Sequence, residues 1–315
     1  METMSTTRTV GTENGEDKLS IKALARQRSN SRAHLAYLFL APALLLVILV
    51  TLIPVAYALG LSMLKTSFLN VVGFAGLANY AQFLGESLGR QNVRASVVWV
   101  LGSLVLSVPI GLGLAILLNR DFPFRTVFRT ILVLPWVITL VATALLWGWI
   151  LNPQYGPIDF VLRQLTGTTV NFLGDPTWAM VSMIVANVWQ SYPYAMILAL
   201  AGLQTIPGDL LEAASIDGAT TWRQFLSIKL PLLRNHLLVA TILLGINYFN
   251  QVTMPLILTG GGPVNATYVM GVRVFNEAFS YYHMGFASAI AVYMLLFNLI
   301  FTLIYLRVLR GESMY

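Results

Sequence analysis

The sequence predicts an all-α membrane protein of six transmembrane helices with both termini in the cytoplasm. Composition comes first: hydrophobic residues make up 57% of the 315 and charged residues 10%, with a mean hydropathy of +0.73. A soluble domain carries about 25% charged residues. Second, six apolar stretches, 36–64, 95–118, 130–151, 179–202, 236–258 and 286–306, contain no Asp, Glu, Lys or Arg. Each is long enough to cross a hydrocarbon core of about 30 Å, which takes roughly 20 residues. A charge at a helix centre costs about 2.5–3.5 kcal/mol on insertion scales, so charge-free runs of this length point to spans. They are also too long for barrel strands, which need only about 10 alternating residues. The third observation, the placement of basic residues, sets the orientation.

Residues 1–35 are polar and mixed in charge, the composition of a disordered or surface-bound tail. They do not read as a cleaved signal peptide, because the apolar stretch that follows is too long for an h-region. The first stretch contains Pro42 and Pro54, the second Pro109, the third Pro135, the fourth Pro193 and the fifth Pro255. Each removes an intrahelical hydrogen bond and predicts a kink, of the sort that can line a cavity in transporters or simply be tolerated inside a bundle. The sixth adds Tyr293 and Asn298, read as packing groups. The loop at about 65–94 is short, and the segment at about 203–235, between the fourth and fifth stretches, is polar and helix-capable. Residues 36–308 thus form one membrane domain, followed by a tail at 309–315.

Fourteen of the 19 Lys and Arg lie in the tails and in the loops after the second and fourth stretches. The other five, Lys65, Arg90, Arg94, Arg163 and Arg273, lie on the opposite side. The basic side is the cytoplasmic one. A net charge of +6 is thereby explained by topology, without a nucleic-acid partner. There is no cysteine, which excludes disulfides and thiolate metal sites. His34, His236 and His283 are far apart in sequence and give no metal-ligand spacing.

The cytoplasmic segment at 210–231 carries Glu212, Ala213, Ala214, Asp217, Gly218 and Ala219, followed by Phe225, Ile228, Leu230 and Pro231. Pro207 and Asp209 mark a helix start, with Asp209 and Glu212 near the positive helix N-terminus. Gly218 permits a turn without a Cβ penalty. Small alanines allow close approach to a partner surface. A helix resting on the bilayer would look similar in part. The full set of anchors, EAAxxDGAxxxxxFxxIxLP, resembles the EAA loop of permease subunits of bacterial ABC importers, which a substrate-binding protein feeds. Tyr192, Pro193 and Tyr194 before the loop, and Leu258, Thr259, Gly260, Gly261, Gly262, Pro263 and Thr267 after it, extend the resemblance to the carbohydrate branch. Within that branch the chain is most similar to the maltose and glycerol-phosphate A-type subunits, over about 36–308. The extra N-terminal spans and large outer domain of the maltose protein have no counterpart here, so maltose is not implied.

The resemblance implies a type I ABC importer permease fold in the bacterial inner membrane. It implies ATPase coupling through Glu212, Ala213, Ala214, Asp217, Gly218 and Ala219. The chain would bind no cofactor, with ATP and Mg on a partner ATPase dimer. Further partners would be a second six-helix permease, an extracytoplasmic binding protein and the lipid bilayer. The substrate would be a carbohydrate or sugar conjugate, with a glycerol-phosphate-type or other small polar solute as the alternative.

Polar residues also fall on faces. Asn187, Gln190, Ser191 and Tyr194 recur at i, i+3, i+4 and i+7, as do Leu244, Asn247, Tyr248 and Gln251, each set sharing one helical face. Buried in hydrocarbon, amides must pair or face water. Two readings stay open: hydrogen bonds within the bundle, or a polar path whose amides and phenols match sugar hydroxyls and on which Trp189, Tyr194 or Tyr248 could stack. The resemblance assigns substrate contact to these eight positions. None of the spans carries a cation that would favour a phosphate or carboxylate ligand. Arg273 and Glu277, in the last outer loop, meet the binding protein or each other.

Rival classes find less support. A self-powered secondary transporter normally carries an intramembrane ionisable residue. An embedded enzyme needs clustered acids, bases or an activated nucleophile. Neither appears, nor does a GxxxxGK[ST] phosphate loop; the run at 260–262 reads as a turn. A non-transporting scaffold is not excluded by composition alone.

Overall fold

The computed structural model describes residues 39–68 and 70–310. The tail expected at 1–35, and 311–315 of the tail expected at 309–315, lie outside the described residues. The chain falls into two units, Met1–Tyr57 and Ala58–Tyr315. The described part of the first belongs to α1, Phe39–Ser62. Its ladder widens to a π-helix at Ile48–Leu52, where the Ile53 N–H reaches Ile48 O. Pro54 follows at once; lacking an N–H, it cannot resume the regular pattern at its own position.

The second unit opens with an antiparallel hairpin, β1 (Leu64–Ser67) and β2 (Asn70–Phe74). Leu64 faces Phe74 and Ser67 faces Asn70, with an irregularity between Lys65 and Thr66. The short helix α2 (Ala78–Gly85) follows. Its Asn79 Nδ2 donates to Ser62 O at 2.8 Å and Leu64 O at 3.0 Å, tying the hairpin to the end of α1.

The second span is α3, Ser87–Leu118, 32 residues that run unbroken through Pro109. At 1.5 Å per residue it is about 48 Å long, so it starts well before the expected residue 95 and projects beyond the hydrocarbon. The stretch expected at 130–151 is instead two helices, α4 (Arg125–Val137) and α5 (Leu140–Ile150), bent by 97°. Ile138 is extended and Thr139 caps α5, its Oγ1 accepting the Ala142 N–H at 3.3 Å. Pro135 weakens the last turn of α4, and the cap stabilises a fresh start.

After α6 (Pro157–Thr166) comes α7, Pro176–Gln204. Asp175 caps it by accepting from Thr177 N and Trp178 N at 2.9 and 3.0 Å, with Pro176 in the first turn, the favoured place for proline. The chain then bends by 72° into α8, Gly208–Ile216. The fifth span, α9 (Thr221–Asn250), ends earlier than expected. Gln251 is extended, and a separate helix α10 (Thr253–Leu258) holds Pro255 in its first turn, where no intrahelical N–H bond is lost. Next, α11 (Met270–Phe275) runs into a π-turn at Asn276–Ser280, and α12 (Met284–Arg310) closes the chain. Among the described residues, four helices are long and apolar enough to cross a membrane, or up to six if α4–α5 and α7–α8 each count as one span.

Within this unit α3 and α7 pack along one another, and α9 lies against both. The approach is close because Gly111 faces α7. A Cβ there would lie 2.7 Å from Ala195 Cβ and Met196 N. Trp99, Met183, Tyr248 and Met254 fill the main core. Leu118, Met196, Leu200, Leu203 and Leu233 fill a second cluster at the end nearest α8, and Phe83, Met270, Phe286 and Ile290 a third.

Candidate functional site

Three sites emerge from this framework. The first lies at the α8 end of the bundle. Pro207 caps α8, Asp209 sits in its first turn, and Gly218 takes the left-handed conformation at φ +79°, which a side chain would strain. Thr220 Oγ1 then accepts the Arg223 N–H at 3.4 Å to start α9. Gln224 Nε2 reaches back to Ser215 Oγ at 2.9 Å and Ala219 O at 3.2 Å, fixing the two helices across the turn. Glu212, Ala213, Asp217 and Gly218 are exposed, whereas Ala214 and Ala219 are half-buried against the turn. Ile216, one helical turn beyond Glu212, is 86% exposed, and Leu210 is exposed as well. An apolar face flanked by carboxylates thus stands clear of the bundle.

The second site is a polar seam within the bundle. Ser191 Oγ donates to Asn187 O at 2.6 Å and meets Tyr248 OH at 2.5 Å; Tyr248 OH donates to Ser107 Oγ at 3.1 Å. Three helices, α3, α7 and α9, are joined through hydroxyls, each such bond worth about 1 kcal/mol net. Trp99 Nε1 donates to Tyr248 O at 3.0 Å. Of the eight positions expected to touch substrate, Asn187, Ser191, Leu244, Tyr248 and Gln251 are buried, Gln190 and Tyr194 are half-buried, and Asn247 is exposed. Tyr248 is enclosed against Trp99, so its ring has no face open to a sugar in this conformation. Trp189 and Tyr194 keep part of their surface and meet Trp147 and Trp136. Asn187, only 1% exposed, has no partner among the described residues for either amide atom, nor has Gln251 Oε1. Ser107 and Trp99 escaped sequence reasoning. The signal was there: Asn92, Ser96, Trp99, Ser103 and Ser107 recur every three or four residues along α3, and all are buried.

The third cluster closes the opposite end. Arg273 Nε pairs with Glu277 Oε1 at 2.7 Å, its second nitrogen lies 3.4 Å from Glu86 Oε2, and His283 Nδ1 meets Glu277 Oε2 at 2.8 Å. The Arg273 guanidinium lies over the rings of Tyr268 and Phe286 at 6.0 and 5.6 Å. Arg273 and Glu277 therefore contact each other, both nearly buried. Burial raises the Tyr268 phenol above its ordinary value of 10.0, against an opposing hydrogen bond from Asn276. The turn at 260–262 forms as expected, with Gly260 and Gly261 at φ +61° and +88°.

Residues 107–312, including α8 and the polar seam, match the family described as binding-protein-dependent transport system inner membrane component. The chain belongs to this family. It is a multi-pass protein of the inner membrane and the permease component of a binding-protein-dependent importer. This permease is 36% identical over 282 residues to the trehalose/maltose transport system permease protein MalF of Thermococcus litoralis, covering 88% of this chain and 94% of that one. It is 33% identical over 282 residues to the sulfoquinovosyl glycerol transport system permease protein SmoG of Agrobacterium fabrum, covering 89% and 91%. Its fold matches a chain of a bacterial alginate ABC transporter solved with an alginate pentasaccharide-bound periplasmic protein, at a TM-score of 0.76 and 20% identity over 88% of this chain and 94% of that one.

Proposed function

We propose that this permease imports a carbohydrate or sugar conjugate by alternating access, driven by ATP hydrolysis on a separate ATPase dimer. The observation that carries the reading is the α8 face. Glu212, Ala213 and Ile216 stand exposed on a helix set at 72° to α7, and an 86%-exposed Ile216 is more economical beneath a partner than in water. ATP-driven closure of the two ATPase subunits would move α8 and reorient α7, with which it is continuous through only three linking residues, 205–207. ATP and Mg belong to that partner. The end of the bundle bearing α8, and with it both termini, faces the cytoplasm, in keeping with its excess of Lys and Arg. A second permease of the same kind completes the pore, and a loaded binding protein docks on the opposite end.

Substrate passes along the seam of Asn187, Gln190, Ser191, Tyr194, Leu244, Asn247, Tyr248 and Gln251. The unpartnered Asn187 amide favours a conformation in which it meets water or sugar hydroxyls, because a buried amide without partners costs about 1–3 kcal/mol. The relatives named for trehalose, maltose and sulfoquinovosyl glycerol transport support a sugar-bearing ligand.

The test is ATPase activity of the complete transporter in lipid, with its binding protein and a panel of sugars, sugar conjugates and glycerol phosphates. Stimulation by a sugar carries the proposal; stimulation by glycerol phosphates alone removes the carbohydrate assignment. Gly218→Val should abolish stimulation while the complex still assembles, because a β-branched residue is strained at φ +79°. Full stimulation of that variant removes the coupling role.

A further inference from the structure

A cavity of about 390 Å³ opens beside the start of α9, lined by Ile116, Asn119, Arg120, Trp222, Phe225 and Lys229. We propose that it seats the phosphate of an anionic phospholipid in the leaflet on the α8 side. The assignment goes beyond solute import and does not depend on which solute is carried.

The depth of the cavity is the first argument. It sits where the buried apolar runs of α3 and α7 give out, at Leu118 and Leu203, and polar chain begins at Asn119, Arg120 and Gln204. That is the level of the lipid headgroups. Charge is the second. Arg120 and Lys229 line the same cavity, and among the described residues neither makes an ion pair or a side-chain hydrogen bond. The neighbouring carboxylate, Asp121, is directed to Arg125 at 3.2 Å. Two like charges sharing one cavity repel unless an anion lies between them. A basic pocket between helices on the basic side of a membrane protein suits an anionic headgroup. The aromatic pair is the third argument. Trp222 is 68% exposed and rests against Phe225, ring centroids 5.5 Å apart, an apolar ring with a polar N–H at the height where tryptophan anchors to an interface. The Asn119 amide and the Trp222 N–H add neutral donors beside the two cations, and Ile116 and Phe225 offer apolar wall to the acyl chains.

The experiment uses the assembled transporter in phosphatidylcholine bilayers with or without phosphatidylglycerol, with retained lipid read by native mass spectrometry. The wild type should retain phosphatidylglycerol in preference to phosphatidylcholine. Arg120→Gln with Lys229→Gln should lower that retention about 30-fold, at one headgroup interaction per cation. The charge-preserving pair Arg120→Lys and Lys229→Arg should restore it, which separates charge from misfolding. Equal retention by wild type and the double Gln variant would overturn the proposal. A third arm adds inorganic phosphate to the wild type in phosphatidylcholine alone and follows thermal stability. Stabilisation by free phosphate that depends on Arg120 and Lys229, without any preference for phosphatidylglycerol, would overturn the lipid assignment. Loss of a co-purifying subunit from the double Gln variant at unchanged lipid retention would also overturn it, assigning the cavity to a protein contact.

Discussion

Replacing Ile216 with Ala tests the proposed docking face directly. Ile216 packs against little of its own chain, being 86% exposed, and alanine is the better helix former. The thermal stability of the permease alone should therefore hold or rise slightly. In the assembled transporter the substitution removes three carbons from a covered surface. At about 0.8 kcal/mol per buried carbon, scaled to the exposed share, the loss is about 2 kcal/mol, or roughly 30-fold in affinity for the ATPase. The assay is a titration of purified ATPase subunits into the permease pair held in nanodiscs, with the dissociation constant measured for wild type and variant. An unchanged constant together with unchanged stability would refute the reasoning, because it would mean that no partner covers Ile216.

Other outcomes follow from packing and charge. Arg273→Ala should destabilise the chain by about 3–5 kcal/mol, since it strands Glu277, 5% exposed, without its cation; replacing both partners with apolar residues should restore most of the loss in a thermal unfolding assay. Gly111→Ala should cost about 1–3 kcal/mol, because the new Cβ would lie 2.7 Å from Ala195 Cβ and Met196 N. The measurement is the unfolding temperature in detergent, and wild-type stability would show that α3 and α7 can separate freely. Tyr248→Phe should cost about 1–2 kcal/mol, leaving the Ser107 and Ser191 hydroxyls short of a shared partner. It should also lower solute-stimulated ATPase activity; unchanged stability and stimulation would place that knot outside both roles.

Much of the molecule was legible in the chain because the signals were local. Charge-free runs of about 20 residues gave the spans; α7 and α12 formed where expected, and α3 ends where expected but begins at Ser87. The turn at Gly218 and the start of α8 at Pro207 followed from backbone chemistry that needs no neighbour. Where boundaries differ from the hydropathy runs, a competing local signal prevails. Thr139 is an N-cap in the middle of an apolar run, and it divides the third stretch at a 97° bend. Pro255 looked like a kink in one long helix but begins a new one.

The polar seam marks the limit. Periodicity put Asn187, Ser191 and Tyr194 on one face of one helix and Leu244, Tyr248 and Gln251 on one face of another, because 3.6 residues per turn is a property of the single chain. Which way those faces turn is a property of pairs. Gly111 lets α3 lie close against α7, and Ser107 of α3 meets Tyr248 of α9, so that Ser191 and Tyr248 are enclosed while Asn247, one residue before Tyr248, stays exposed. The same division holds at Arg273, whose partner Glu277 is one helical turn away but whose second carboxylate, Glu86, comes from the link between α2 and α3, 187 residues distant. The sequence by itself determined the spans, the exposed turn at Gly218 and the polar stripes, through hydropathy, backbone conformation and helical period. Only the packing of α3, α7 and α9 decided which polar groups are shut in and which are open, because burial depends on the neighbour that a face meets.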